Sequence, residues 1–399
     1  MVRLGDIVRL ERSPVDITAD GVYSRIGIYS WGKGLMHRDP VTVPEIGKMR
    51  YFTFPRPSLI FSNIQAWEGA VALASSAEAD FVCSSRFLPY VPTDTDEVSL
   101  PYLHEFFRSR QGLNIMRAAS PGTQVRNKTL SRAALENSLI PLPSRPDQDR
   151  IVAHLDSIAE KASLASDAAA AAHQTLRVLR EQVLGRLADV STVPLGQVLT
   201  QVDQTEIVDP GMSYPMLGVR AWGRGAFASG VILGSGTKYP KLRRMQAGQV
   251  CYPKLMGWQG AFTIIPPDLG GYFVSPEFVA FAVATTRVGT NYLAHALGSA
   301  AFWQAAAAMA SGTNANRRRL QPSDFLNLHI PLPDQVTQAA VSAALDTARR
   351  GAATADDAAK RAAALLPAAR NEILAGLQLR QSLIDRHNRS TNDRSMRKT

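Results

Sequence analysis

Cysteine is nearly absent from this chain, with two residues, Cys83 and Cys251, in 399. So sparse a supply excludes a disulfide-stapled scaffold and a thiolate metal cluster, and it points to a reducing compartment, the cytoplasm. Long apolar runs are missing as well. No stretch approaches the roughly 20 uncharged apolar residues of a membrane span, and the start, "MVRLGDIVRLERSP", lacks the apolar run of a signal peptide. The expectation is a soluble intracellular protein with no membrane partner.

Nucleotide chemistry is equally hard to find. There is no G-x-x-x-x-G-K-[ST] loop, and "WGKG" at Trp31–Gly34 is too short and has no following hydroxyl. The [ND]-P-P-[YF] signature of amino-methyltransferases does not occur, and no Gly-rich turn suits a nucleotide cofactor. The seven histidines form no cluster of metal-ligand spacing with acids or with one another. These absences predict a chain that binds rather than catalyses and holds no metal or cofactor of its own.

Acid is in deficit too: 34 Asp and Glu against 44 Lys and Arg leave a net charge of +10. Such a field favours a polyanion, and nucleic acid is the first partner to consider.

What the chain does have is a repeat. At an offset of 191, Leu4-Gly5 matches Leu195-Gly196, Tyr23 matches Tyr214, Gly27 matches Gly218, and Trp31–Gly34 matches Trp222–Gly225. "FSNIQAWEGA" (Phe61–Ala70) lies on "YPKLMGWQGA" (Tyr252–Ala261), pairing Trp67 with Trp258. One deletion later the offset is 190, and "PGTQVRNKTL" (Pro121–Leu130) falls on "SGTNANRRRL" (Ser311–Leu320), with "IPLP" at Ile140–Pro143 and again at Ile330–Pro333. Short apolar runs punctuated by Gly and Pro read as strands and turns, and "LPYLHEFFRSRQGLNIMRAA" has helical spacing at Leu103, Phe106, Phe107, Leu113 and Met116.

An Ala-rich segment follows each module. Positions 151, 155, 158, 162, 165, 169, 172, 176, 179 and 183, stepping by four and three, are all apolar, and so are all ten at an offset of 190. This is a coiled-coil seam. Ile151, Leu155, Ile158, Leu176, Leu179 and Val183 anchor it in the first copy, and Val341, Leu345, Leu366 and Ile373 in the second, with Asp156, Lys161, Asp167 and Arg180 off the seam. Because only a short linker joins the first helix to the second module, the helices should run antiparallel about a pseudo-twofold axis. At 1.5 Å per residue they would hold the modules up to about 60 Å apart, or at most about 17 base pairs of B-DNA. Pro367 should kink or restart the second helix.

The fold class is therefore mixed α/β (α+β), with two tandem modules joined by two long helices. The expected boundaries are module 1 at 1–143, helix 1 at 144–188, module 2 at 189–333, helix 2 at 334–379, and a disordered basic tail at 380–399.

This arrangement, with "GT…L…IPLP…Q" junctions at Gly122, Thr123, Leu130, Ile140–Pro143 and Gln148 and at Gly312, Thr313, Leu320, Ile330–Pro333 and Gln338, resembles the DNA specificity subunit of type I restriction-modification systems. The resemblance covers residues 1–377. It implies two target recognition domains, each reading half of a bipartite, asymmetric site on double-stranded DNA, with the helices setting the spacing. It also implies docking of two DNA methyltransferase subunits that modify adenine with S-adenosylmethionine, and a motor-nuclease subunit that cleaves with ATP and Mg.

Candidate DNA contacts follow from side-chain chemistry, because Lys and Arg supply phosphate contacts while Arg, Asn and Gln read base edges. The exposed Gly-Thr loops offer Gln124, Arg126, Asn127 and Lys128 in module 1 and Asn314, Asn316, Arg317, Arg318 and Arg319 in module 2. Lys33 and Arg224 occupy matching places in the Trp-Gly turns, whose Trp31 and Trp222 are expected in the core of a hairpin. Asn63 and Lys254 differ at equivalent strand positions, and Lys238, Lys241, Arg243 and Arg244 form a basic run. The rival reading is a structural adaptor whose Ala-rich helices assemble protein partners and whose modules bind no DNA.

Overall fold

The computed structural model describes residues 1–18, 20–46, 49–122, 128–312 and 318–396. Six of the candidate contacts, Gln124, Arg126, Asn127, Asn314, Asn316 and Arg317, lie outside the described residues.

The duplication seen in sequence is reproduced strand for strand. In module 1 a five-stranded sheet runs in the order Ser13–Pro14, Tyr51–Thr53, Phe81–Ser84, Val22–Ile28, Leu35–Thr42, and a four-stranded sheet in the order Val8–Leu10, Phe87–Pro92, Ser58–Ser62, Val71–Ala74. Module 2 repeats both orders with Thr205–Ile207, Lys241–Arg244, Phe273–Val274, Ser213–Val219, Ala226–Leu233 and with Leu199–Val202, Phe278–Val283, Val250–Pro253, Thr263–Ile264. Both five-stranded sheets contain one parallel pairing, Ser24 with Phe81 and Met216 with Phe273. The short apolar runs that marked these segments as strands fill the sheet cores with Phe61 and Tyr90 in one module and Tyr252 and Phe281 in the other, all fully buried.

The helical stretch of module 1 divides at Arg108-Ser109 into Leu100–Phe107 and Arg110–Ala118. Leu103, Phe106, Phe107 and Met116 are fully buried on the predicted face, and Leu113 packs beside them. The Ser99 and Ser109 hydroxyls accept from the backbone amides of Tyr102 and Gly112, satisfying amides that the first turn of each helix leaves unpaired.

The long helices span Arg145–Gly185 and Gln335–Met396. None of the twenty seam positions is exposed, whereas Leu164 and Leu365, each next to a seam residue, are 62% and 59% exposed. The second helix continues through Pro367 without a restart, so the neighbouring turns tolerate the one amide that proline removes. It also continues past residue 380, where a disordered tail was expected: no Gly or Pro follows Gly376 to stop it.

The chain forms two compact units, Met1–Ala165 with Ala358–Thr399, and Ser166–Asp357. Each unit thus holds one module and a length of both helices. In the first, Ile151, Val152, Leu374 and Leu377 join the module core. In the second, Leu179, Val183, Val341 and Leu345 do so, and His173 Nε2 meets Asp356 at 2.9 Å while Arg180 and Arg349 line one cavity, so the two segments run antiparallel.

One glutamine locks each junction. The buried Gln148 amide donates to the carbonyls of Glu97 (2.8 Å) and Pro143 (2.9 Å) and accepts from the Ser99 amide (2.9 Å). Gln338 makes the same three bonds, to Arg287, Pro333 and Gly289. Replacing Gln148 by Leu leaves the buried Ser99 amide and the part-buried carbonyls of Glu97 and Pro143 without this partner and should cost about 1 to 3 kcal/mol. Urea denaturation followed by Trp fluorescence checks this, with an unchanged midpoint contradicting the role of the junction.

Candidate nucleic-acid interface

Three short segments meet in each module. In module 1 these are the hairpin tip between Val22–Ile28 and Leu35–Thr42, the turn Ala66–Glu68, and the end of the Gly-Thr loop. The Trp31 amide donates to Glu68 O at 2.8 Å and the Gly32 amide to Gly69 O at 2.9 Å. The Ser30 hydroxyl donates to the Glu68 carboxylate at 2.7 Å. The Lys128 ammonium lies 4.8 Å above the centre of the Trp67 ring, and the Leu130 amide donates to Asn63 O at 2.7 Å.

Module 2 builds the same surface from different side chains. The Trp222 and Gly223 amides donate to Gln259 O and Gly260 O, both at 3.0 Å. The Arg318 guanidinium sits 5.3 Å above Trp258, and the Leu320 amide donates to Lys254 O at 2.9 Å. The structure thus brings Lys33, Asn63 and Lys128 onto one surface and Arg224, Lys254, Arg318 and Arg319 onto another. Trp67 carries Lys128 and Trp258 carries Arg318, contacts the sequence pairing alone did not assign.

Trp31 and Trp222 are not core residues. They are 62% and 58% exposed, and both adopt the left-handed backbone region, with φ of 64° and 61°. That conformation costs a side-chain-bearing residue about 1 to 3 kcal/mol. Amide bonds to the neighbouring turn hold it in both copies, and the result is an exposed indole with an exposed cation, Lys33 or Arg224, two residues on. Gly34 and Gly225, at φ of 91° and 77°, complete the tight turns.

Several cations have structural partners. Arg318 donates to the carbonyls of Ala307 and Ala310 at the end of helix Ala300–Met309. Arg319 pairs with Glu277 at 3.2 Å, and Arg244 with Glu206 at 3.7 Å. Arg243 reaches Phe278 O and pairs with Asp203 at 3.3 Å, its side chain 11% exposed, while Lys238 and Lys241 are exposed. Arg318→Ala should therefore lower stability by about 1 to 2 kcal/mol, through lost carbonyl bonds and ring contact. It should leave the salt dependence of DNA binding little changed. A reduced salt slope at unchanged melting temperature would instead make Arg318 a phosphate contact.

Sequence reasoning missed a second basic surface. Arg25, Arg38, Arg86 and Gln65 line a cavity of about 150 Å³ in module 1 that also reaches Ser62 and Ile64. Arg25 and Arg38 stand directly across the hairpin from each other, beside a register shift. Like charges opposed on adjacent strands are unfavourable without an anion to share. Only the hairpin register reveals the pair, and no spacing in the sequence carries it.

No protein-family model matches the sequence, and no curated protein matches it. A solved chain from a study of complex assembly and conformational transition of the type I R-M system superposes with a TM-score of 0.55 at 17% identity, covering 93% of this chain and 97% of that one. The two chains share one fold. The HsdS subunit from Thermoanaerobacter tengcongensis aligns over 92% of this chain and 94% of its own at 17% identity, with a TM-score of 0.47. The type I restriction-modification S subunit from M. genitalium covers 94% and 95% at 12% identity, with a TM-score of 0.48. The paired surfaces described above lie on the fold shared with the first of these chains.

Proposed function

We propose that this chain is the DNA specificity subunit of a type I restriction-modification complex, non-catalytic by itself. The observation that carries this reading is the pair of equivalent surfaces: one backbone frame, built twice, with different side chains at matching places. Lys33 corresponds to Arg224 and Asn63 to Lys254 in the repeat. A shared frame with changed readers is what recognition of two unlike half-sites requires, because phosphate contacts position a module while base-edge contacts distinguish sequences. The chain's net charge of +10 supplies the long-range attraction.

The continuous helices set the spacing between half-sites, and their remaining surface docks two methyltransferase subunits. These partners bring S-adenosylmethionine, and a motor-nuclease subunit brings ATP and Mg. The setting is cytoplasmic, and no described helix is long and apolar enough to cross a membrane.

The test is duplex binding at physiological salt by the chain assembled with its methyltransferase. Tight, sequence-dependent binding that weakens when Lys33 and Arg224 are both changed to Ala supports DNA reading. An assembled complex with no affinity for duplex makes the chain an adaptor.

A further inference from the structure

The repeat provides an internal comparison at one buried arginine. Arg370 on the second helix and Arg180 on the first occupy equivalent places at an offset of 190, and both are almost wholly buried, at 6% and 5% exposure. In the first unit Arg370 Nε meets the Glu105 carboxylate at 2.5 Å, and Glu105 also holds Arg108 at 2.7 Å. In the second unit the residue equivalent to Glu105 is His295, 1% exposed. Burial pushes the His295 imidazole down to about 4, so it is neutral near pH 7 and supplies no negative charge.

Arg180 is left without the counter-ion that its twin has. Its Nη1 donates to Gly298 O at 2.6 Å, while its Nε has no partner among the described residues. The two nearby acids are committed elsewhere. Glu181 accepts from the Ala300 amide at 2.7 Å, and Asp346 accepts from Asn291, His295 and Arg349 at 2.9 to 3.1 Å. Beside Arg180 lies a cavity of about 390 Å³, walled by Arg349, Asn291, Thr290, His295 and Thr263 and bounded by Gly223 and Gly225 of the hairpin tip. Phe262, Ile264, Ile265 and Leu297 complete the wall, so the lining is mixed, and a buried guanidinium beside it is costly unless a negative charge enters.

We infer that the cavity of the second unit binds a small oxyanion of the phosphate class, which supplies to Arg180 the charge that Glu105 supplies to Arg370. Arg180 and Arg349 provide charge-assisted donors, and Asn291 and Thr290 in the same wall can complete the shell. The binding is independent of DNA reading in module 1. It places an anion behind the hairpin tip that carries Trp222 and Arg224, so occupancy stiffens that tip.

The test is isothermal titration of the full chain with inorganic phosphate at constant ionic strength. One saturable site is expected, weakened at least about tenfold, or about 1.4 kcal/mol, in Arg180→Met. His295→Glu, which installs the carboxylate of the first unit, should weaken it similarly. Circular dichroism melts establish that each variant is folded, and the second serves if the first is not. Failure of the wild-type chain to bind phosphate, or unchanged binding in both folded variants, overturns the proposal. Adding duplex DNA to the phosphate-loaded chain separates the sources: retained phosphate means a free anion, and displaced phosphate means that a backbone phosphate takes the same place. Loss of DNA binding with phosphate binding intact would count against the specificity-subunit reading alone.

Discussion

Glu105→Ala should destabilise the first unit by about 3 to 5 kcal/mol, the cost of stranding a buried charge. Arg370 is 6% exposed and Glu105 is 8% exposed, so neither has water to fall back on once its partner is gone. The nearby Arg108 adds to the cost, because without the carboxylate two guanidinium groups face each other. The pair ties the second helix to helix Leu100–Phe107 of the module, and the Arg110 amide bonded to Asn371 at 2.7 Å ties the next helix to the same place. Hydrogen exchange across Leu100–Phe107 reads the loss locally. The double variant Glu105→Met with Arg370→Met should recover most of it, since apolar residues of similar length remove both charges at once. Full stability in the single variant would show that the ion pair does not hold the helix to the module.

Acidification from neutral pH should weaken both units through two buried histidines. Burial pushes His104 in the first unit and His295 in the second from 6.5 down to about 4. In the unfolded chain each takes up a proton near pH 6.5, while in the folded chain each stays neutral until about pH 4. Lowering the pH through that window therefore favours unfolding, and stability is fully present only above about pH 6.5. A depression of this size corresponds to about 3 kcal/mol for each histidine. Glu105 and Asp346, whose pKa values are lowered by arginine neighbours and hydrogen bonds against the cost of burial, lose their contribution at still lower pH. Urea midpoints measured from pH 7.5 to 4.5 should fall steeply, and His104→Gln with His295→Gln should flatten the curve. A flat wild-type curve would mean that the imidazoles reach solvent.

Much of the architecture was legible in the sequence because duplication writes it twice. Matching Trp, Gly and "IPLP" positions mark the repeat, and the identical strand orders follow from it. The seam was legible for a similar reason, since a four-three period leaves no other face for Ile151, Leu155, Val341 and Leu345 to bury. Arg180 was placed off that seam and yet is buried, because the helix has a second contact, with the module, that no helical period announces. Trp31 and Trp222 read as core because large aromatics usually are. What exposes them is a left-handed turn held by carbonyls of Glu68 and Gln259, some forty residues further on. Arg318 read as a phosphate contact because its acceptors, Ala307 O and Ala310 O, are backbone atoms that leave no trace in composition. Its partnership with Trp258, like that of Lys128 with Trp67, is repeated in both modules, and it emerges only when the two sheets are laid over each other.

Mapping of modified adenines across a genome, with this chain and its methyltransferase co-expressed and with a control lacking the chain, tests the specificity reading most directly. A two-part motif with a fixed gap should appear only when the chain is present. Inserting seven residues, two turns or about 10 Å, in register into both helices should widen the gap by about 3 base pairs. Methylation by a competent, assembled methyltransferase with no chain-dependent motif would contradict it.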